Sequence, residues 1–310
     1  MSLLSRPVVA AAAARVLQRL DALLSGRHVA KHLHTRYPEY PRTGFELTIP
    51  TSVAPARAVV YLPHPPKDTP VPVHVNFHGG GYVLPPIELD DPLCRLLAAE
   101  AGVAVVNVEY VVAPQFRFPA PPRQAYEVVR WVAENGADNG WDGGRLTVGG
   151  QSAGGALAAA VARQALEKGT PSVALQVLHY PPLDLATDAR DKRSVVAKPM
   201  LRPWMADIFD NAYLPDRTRR SDPLASPAHP SDTADLTGIA PAVVVTAEHD
   251  LLRAEGTRYA ERLRKAGALV EHHDVPGADH GYDQKDPETA REIYALIARH
   301  VREAISPETP

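Results

Sequence analysis

An α/β fold built on a mainly parallel central sheet flanked by helices is what the sequence predicts, and three observations predict it. From Val73 onward, short apolar runs alternate with segments of helical length, the order that lays a parallel sheet between two layers of helices. Most of those runs hold few polar residues, as strands buried on both faces do. The chain has 310 residues, 45% hydrophobic and 22% charged, which is enough apolar material for one large core with an inserted or terminal sub-domain.

Taken in order, residues 1 to about 40 read as helix and then loop. Pro7 to Ala14 is an apolar run that Arg15 interrupts, and Val16, Leu17, Leu20, Leu23 and Leu24 continue it at helical spacing, so an amphipathic helix is expected. Tyr37, Pro38, Tyr40 and Pro41 close the segment. Short runs of β-formers over 45–49 and 58–62 predict an antiparallel start to the sheet. Strands follow over 73–77, 103–108, 146–148, 173–178 and 242–246, with a weaker one over 270–275. Helices are expected over 91–100, 123–134, 153–167, 254–265 and 287–303. Residues 188–237, rich in Arg, Asp and Pro with isolated Trp204, Phe209 and Tyr213, break the rhythm and read as an insertion. The strand over 270–275 falls at the end of the series, where an open edge could pair with a second copy in a homodimer.

Charge and cysteine usage exclude several classes. The formal net charge is −3, with both signs scattered, so neither the basic field that nucleic acid requires nor a polybasic membrane patch is present. Cys94 is the only cysteine; no intrachain disulfide and no Cys-x-x-Cys metal or redox pair can form, which fits a cytoplasmic setting. No stretch approaches the roughly 20 uncharged apolar residues that span a bilayer. The apolar run after Arg6 has a weak likeness to a signal-peptide core, but Arg15 interrupts it, and a soluble, unprocessed chain without stable membrane association is expected.

Two glycine-rich motifs carry chemistry. Gly150-Gln151-Ser152-Ala153-Gly154 follows the strand over 146–148 and opens an Ala-rich helix. A serine hydroxyl projected from a strained strand-to-helix turn needs small residues two positions before and after it, so that the backbones pass closely. The helix N-terminus adds free N–H groups that favour developing negative charge. The plain alternative is a glycine-rich turn. His78-Gly79-Gly80-Gly81 ends the strand over 73–77, on the sheet edge where α/β proteins bind ligands. A tetrahedral oxyanion needs two or three backbone donors that no side chain obstructs, and Gly80, Gly81 and Ala153 are assigned to that role. A phosphate cradle is the competing reading, and no Gly-Lys-Ser/Thr ending follows to support it.

A nucleophilic serine requires a base and an orienting acid, which in such turns follow in the order Ser, Asp, His. Asp250 comes four residues after the strand over 242–246, with Glu248 as the nearby rival. His280 lies in the loop between the last strand and the last helix. His272 and His273 precede it but fall inside the strand, one expected on the core face and one in solvent. A metal site built from His272, His273, Asp274, Asp279 and His280 is the other reading of this cluster, and no His-Glu-x-x-His helix supports it. Ser152, Asp250 and His280 are therefore the expected triad, with no metal and no cofactor.

On these residues, over about 70 to 300, the chain resembles the hormone-sensitive lipase family of esterases and lipases, which have the α/β-hydrolase fold. Glu109-Tyr110-Val111-Val112-Ala113-Pro114 is similar to that family's strand-end Tyr-Arg-Leu-Ala-Pro-Glu segment, and Asp250 to Gly256 to its acid loop. The resemblance implies a helical cap made of an N-terminal part, residues 1–45, and the insertion 188–237, over a catalytic domain of 46–187 and 238–310. The cap would line the acyl and alcohol pockets, and Tyr82, Trp204, Phe209 and Tyr282 are the candidate substrate contacts. Gln151 stands where the family usually has Asp, Val111 where it has Arg and Gln115 where it has Glu, which removes charges beside the serine.

The expected function is hydrolysis of short- to medium-chain carboxylic esters through an acyl-enzyme. Amide or lactone hydrolysis, deacetylation of a specialised metabolite and acyl transfer are the alternatives on the same site. A non-catalytic small-molecule receptor fits less well, since the hormone receptors of this family lack the histidine that His280 supplies.

Overall fold

Eight strands form one sheet in the computed structural model of the chain, which describes residues 3–24, 33, 35–64, 70–85 and 87–306. The strands are β1 (Gly44–Ile49), β2 (Ala56–Tyr61), β3 (Val71–Phe77), β4 (Ala104–Glu109), β5 (Trp141–Gln151), β6 (Leu175–His179), β7 (Ala242–Ala247) and β8 (Leu269–Val275). Among the described residues the helices are α1 (Pro7–Leu24), α2 (Asp91–Glu100), α3 (Ala120–Asn135), α4 (Ala153–Lys168), α5 (Pro203–Tyr213), α6 (Arg253–Lys265) and α7 (Pro287–Ile305). The order across the sheet is β1-β2-β4-β3-β5-β6-β7-β8, antiparallel at β1/β2 and β2/β4 and parallel from β4 to β8.

Every residue of β3, β6 and β7 is buried, because helices cover both faces, and this explains why those runs are dominated by Val, Leu and Ala. The polar exceptions are partly satisfied inside, with Asn76 Oδ1, Gln176 Oε1 and His179 Nδ1 left without a partner among the described residues. His74 Nδ1 lies 2.8 Å from Thr147 Oγ1, and Asn76 donates to Asn107 and Asp90 at 2.9 and 2.8 Å. β8, the outermost strand, is mostly half-buried. For that reason His272 and His273 do not divide into a core and a solvent residue; both are partly covered, and His272 Nε2 lies 3.0 Å from Thr246 Oγ1 on the neighbouring strand β7.

Register positions the loops. Phe77 pairs with Gly150, so the loops that leave β3 and β5 start side by side. Gln151 pairs with His179, and Ala247 with Val275, which brings the loop carrying Asp250 next to the loop carrying His280. All these loops leave the carboxyl edge of the parallel strands.

One expectation is corrected by the packing. The buried stripe of α1 is Ala10, Ala11 and Ala14, whereas Val16, Leu20 and Leu23 are exposed; α1 lies against α5 through small side chains. Within 188–237 a helix, α5, forms after Arg202, with Pro203 in its first turn where the missing N–H costs nothing. Residues 1–2, 25–32 and 34 of the expected N-terminal segment lie outside the described residues. No described helix is long and apolar enough to cross a membrane.

Candidate active site

Ser152 sits between the last residue of β5 and the first of α4, with φ +53° and ψ −120°, a left-handed strain that L-residues seldom carry. The neighbouring glycines make that turn possible. A Cβ on Gly154 would stand 1.7 Å from the Phe77 carbonyl oxygen, and one on Gly150 2.3 Å from the same atom. The turn therefore presses against the end of β3, which carries the second motif.

That motif, His78 to Gly81, is buried at His78 and opens toward the cavity at Gly80 and Gly81, where φ reaches +111° and +62°. Among the described residues the amides of Gly80, Gly81 and Ala153 donate to no protein acceptor. His78 braces the loop from behind: its ring stacks on Tyr110 at 4.3 Å, and Nδ1 lies 2.6 Å from the Gly79 carbonyl. A carbonyl only accepts, so Nδ1 carries the proton; burial pushes this imidazole down to about 4 and keeps it neutral. Gly79 leaves room beside Ser152, whose Cβ would lie 3.7 Å from a Cβ at that position.

Ser152 Oγ lies 2.9 Å from His280 Nε2, and His280 Nδ1 lies 2.7 Å from Asp250 Oδ2. The other oxygen of Asp250 accepts from the Leu252 amide at 3.0 Å, so both oxygens of this buried acid are used. The rival Glu248 turns away and accepts from the Gly277 amide at 2.7 Å. Burial disfavours the imidazolium of His280, but the adjacent Asp250 carboxylate, with Asp283 and Asp279 further off, outweighs it and raises the pKa overall. Since a carboxylate accepts, Nδ1–H faces Asp250 and the Nε2 lone pair faces Ser152.

These groups open into a mostly apolar cavity of about 280 Å³ whose walls include Tyr82, Leu185, Met200, Met205 and Phe209. Tyr82 stacks on Tyr213 of α5 with ring centroids 4.0 Å apart, and Phe209 of the same helix lies against Gly81. Helix α1 contributes Asp21 to the rim. Trp204 is exposed and outside the cavity walls, and Tyr282 is buried behind His280 with its hydroxyl 2.8 Å from His179 Nε2. Among the described residues no three His, Cys, Asp or Glu side chains group as metal ligands.

The departures from the family's pattern have local partners. Gln151 donates to the buried Asp283 at 2.7 Å, and Gln115 donates to Gln18 of α1 at 2.8 Å. Tyr180, Lys192 and Asp210 also line the cavity, and no sequence motif marks them. Lys192 pairs with Glu255 at 2.5 Å in the wall. Tyr180 directly follows a buried strand, the one sequence signal that could have placed it at the carboxyl edge.

A model of the alpha/beta hydrolase fold matches residues 74–284. Carboxylesterase NlhH of Mycobacterium tuberculosis is 36% identical over 223 residues, covering 72% of this chain and 70% of the relative. Ethyl acetate hydrolase of Pseudomonas putida is 36% identical over 231 residues, with 72% and 70% covered. The solved Pyrobaculum calidifontis esterase superposes with a TM-score of 0.83 at 34% identity over 94% of both chains. The chain belongs to the alpha/beta hydrolase fold family, in its hormone-sensitive lipase-like branch.

Proposed function

We propose that the chain is a serine carboxylesterase in which Ser152 is the nucleophile, His280 the base and Asp250 the orienting acid. The observation that carries this is the continuous hydrogen-bonded line from Asp250 through His280 to Ser152, ending beside three amides without a protein acceptor among the described residues. His280 Nε2 takes the Ser152 proton as Oγ attacks the ester carbonyl. The amides of Gly80, Gly81 and Ala153 hold the oxyanion, and the alcohol departs with the proton from His280. Water then attacks the acyl-enzyme by the reverse path and frees the acid.

A small ester is the proposed partner. The cavity of about 280 Å³ lies just below the roughly 300–1,000 Å³ usual for ligand clefts, and it suits short acyl chains. Helices α1 and α5, which pack on each other and both reach the cavity, support a cap formed from the N-terminal part and the 188–237 insertion. The lone, buried Cys94 is compatible with a cytoplasmic setting.

Purified protein is expected to hydrolyse p-nitrophenyl esters best at two to about six acyl carbons and to decline at longer chains. A rate that keeps rising beyond about twelve carbons would reject the short-chain assignment. Only neutral His280 can accept the proton, and its pKa is raised, so activity should fall with falling pH along an acid limb above the ordinary histidine value near 6.5. A limb centred below about 6 in the kcat/KM profile would contradict that assignment.

A further inference from the structure

Asp283 lies three residues beyond His280, on the short turn Tyr282–Gln284, and is 2% exposed. Its carboxylate accepts three hydrogen bonds from neutral donors: the Tyr180 hydroxyl at 2.6 Å, the Gln151 amide at 2.7 Å and the Tyr294 hydroxyl at 2.8 Å. Each donor comes from a different part of the fold. Gln151 ends β5 immediately before Ser152, Tyr180 follows β6, and Tyr294 belongs to α7. Tyr180 has φ +38°, and its ring lies against the His280 ring with centroids 4.7 Å apart. Gln151 and Tyr180 line the cavity, while Asp283 and Tyr294 do not.

A buried carboxylate costs stability unless it is fully hydrogen-bonded, and an apolar residue would fill the same space without that demand. The placement of its donors supplies a reason for keeping it. We infer that Asp283 is a positioning residue of the active site: it holds the Tyr180 ring against His280 and the Gln151 side chain beside Ser152. The inference rests on the reading of Ser152 and His280 as nucleophile and base. Reaction rates are sensitive to displacements of about 1 Å between such groups, and Asp283 ties the His280 loop to the ends of β5 and β6.

The negative charge of Asp283 also favours the imidazolium of His280. Other titratable groups also face Asp283, and they are the same in the parent and in a variant changed only at Asp283. His179, at the end of β6, is pushed down to about 4 by burial, and Asp90, ahead of α2, is pushed up to about 8 chiefly by burial. Tyr37, Tyr180, Tyr282 and Tyr294 all have their phenols raised by burial, and Arg36 donates to the Asp283 backbone carbonyl at 2.5 Å instead of to its carboxylate.

The test is the pH dependence of kcat and kcat/KM for Asp283→Asn beside the parent, with Ser152→Ala as background. In the variant the plateau kcat should fall about tenfold to a hundredfold with KM within about twofold. Its acid limb should move to lower pH by about half a unit, because one negative neighbour of His280 is gone. A limb that stays where the parent has it overturns the inference, whatever the plateau. Should Asp283→Asn not fold, Tyr294→Phe removes one donor from outside the cavity; a several-fold loss of kcat at constant KM supports the role, and unchanged kcat rejects it. Ser152-dependent hydrolysis by the parent separates the two levels: with it, an unmoved limb removes only the Asp283 role, and without it both readings fall.

Discussion

Ser152→Ala is expected to lower kcat for p-nitrophenyl acetate by about a million-fold, the loss seen when a triad nucleophile acts as one unit with its base. The substitution isolates the chemistry because it removes one atom, Oγ, and leaves the turn intact. Alanine meets the same φ of +53° that serine already bears, and the close contacts of the turn fall on Gly150 and Gly154. Thermal unfolding should therefore change by no more than about a degree or two. Residual turnover of roughly a thousandfold over water is expected from the amides of Gly80, Gly81 and Ala153 and from binding alone. Single-turnover measurements on freshly purified protein would check it, and a loss below about tenfold would mean that another residue attacks the ester.

Asp250→Asn should cost about ten-thousandfold in kcat with little change in KM. The asparagine oxygen can keep the hydrogen bond from the Leu252 amide, so the loop holds its shape. Its amide nitrogen then faces His280 Nδ1 at the position of Oδ2 and donates to it. Nδ1 must accept, the ring proton moves to Nε2, and no lone pair faces Ser152. The defect is one of tautomer and not of pKa alone, so raising the pH should recover only part of the rate; full recovery at alkaline pH would contradict the argument.

Much of this site is readable in the sequence because its demands are local. The glycines at 150 and 154 are fixed by contacts with the Phe77 carbonyl, and small residues at that spacing are a pattern one can see. Asp250 and His280 are placed by strand order and by the loops that follow β7 and β8, which the alternating pattern also predicts. The helix over 91–100 is found at the same bounds because Asp91 and Pro92 mark its start. β5 is longer than expected, from Trp141 to Gln151, since its glycines read as breakers until the neighbouring strands require close approach.

The features that stay hidden depend on tertiary contact. Asp283 resembles any loop acid near a helix start, and its donors come from 132, 103 and 11 residues away in sequence. The buried face of α1 is alanine instead of leucine, so hydrophobic periodicity points to the wrong stripe. Trp204 reads as a substrate contact because it is an isolated aromatic, yet it lies on the outer side of α5, whereas Phe209, five positions along the same helix, faces the cavity.

The central claim is that Ser152 supplies the attacking atom, and covalent trapping tests it most directly. The protein would be incubated with a p-nitrophenyl alkylphosphonate, and the labelled peptide identified by mass spectrometry. The account predicts one adduct per chain, on Ser152, formed in parallel with loss of ester hydrolysis and slowed strongly in Asp250→Asn. An adduct on any other residue, or undiminished hydrolysis after Ser152 is fully labelled, would contradict it.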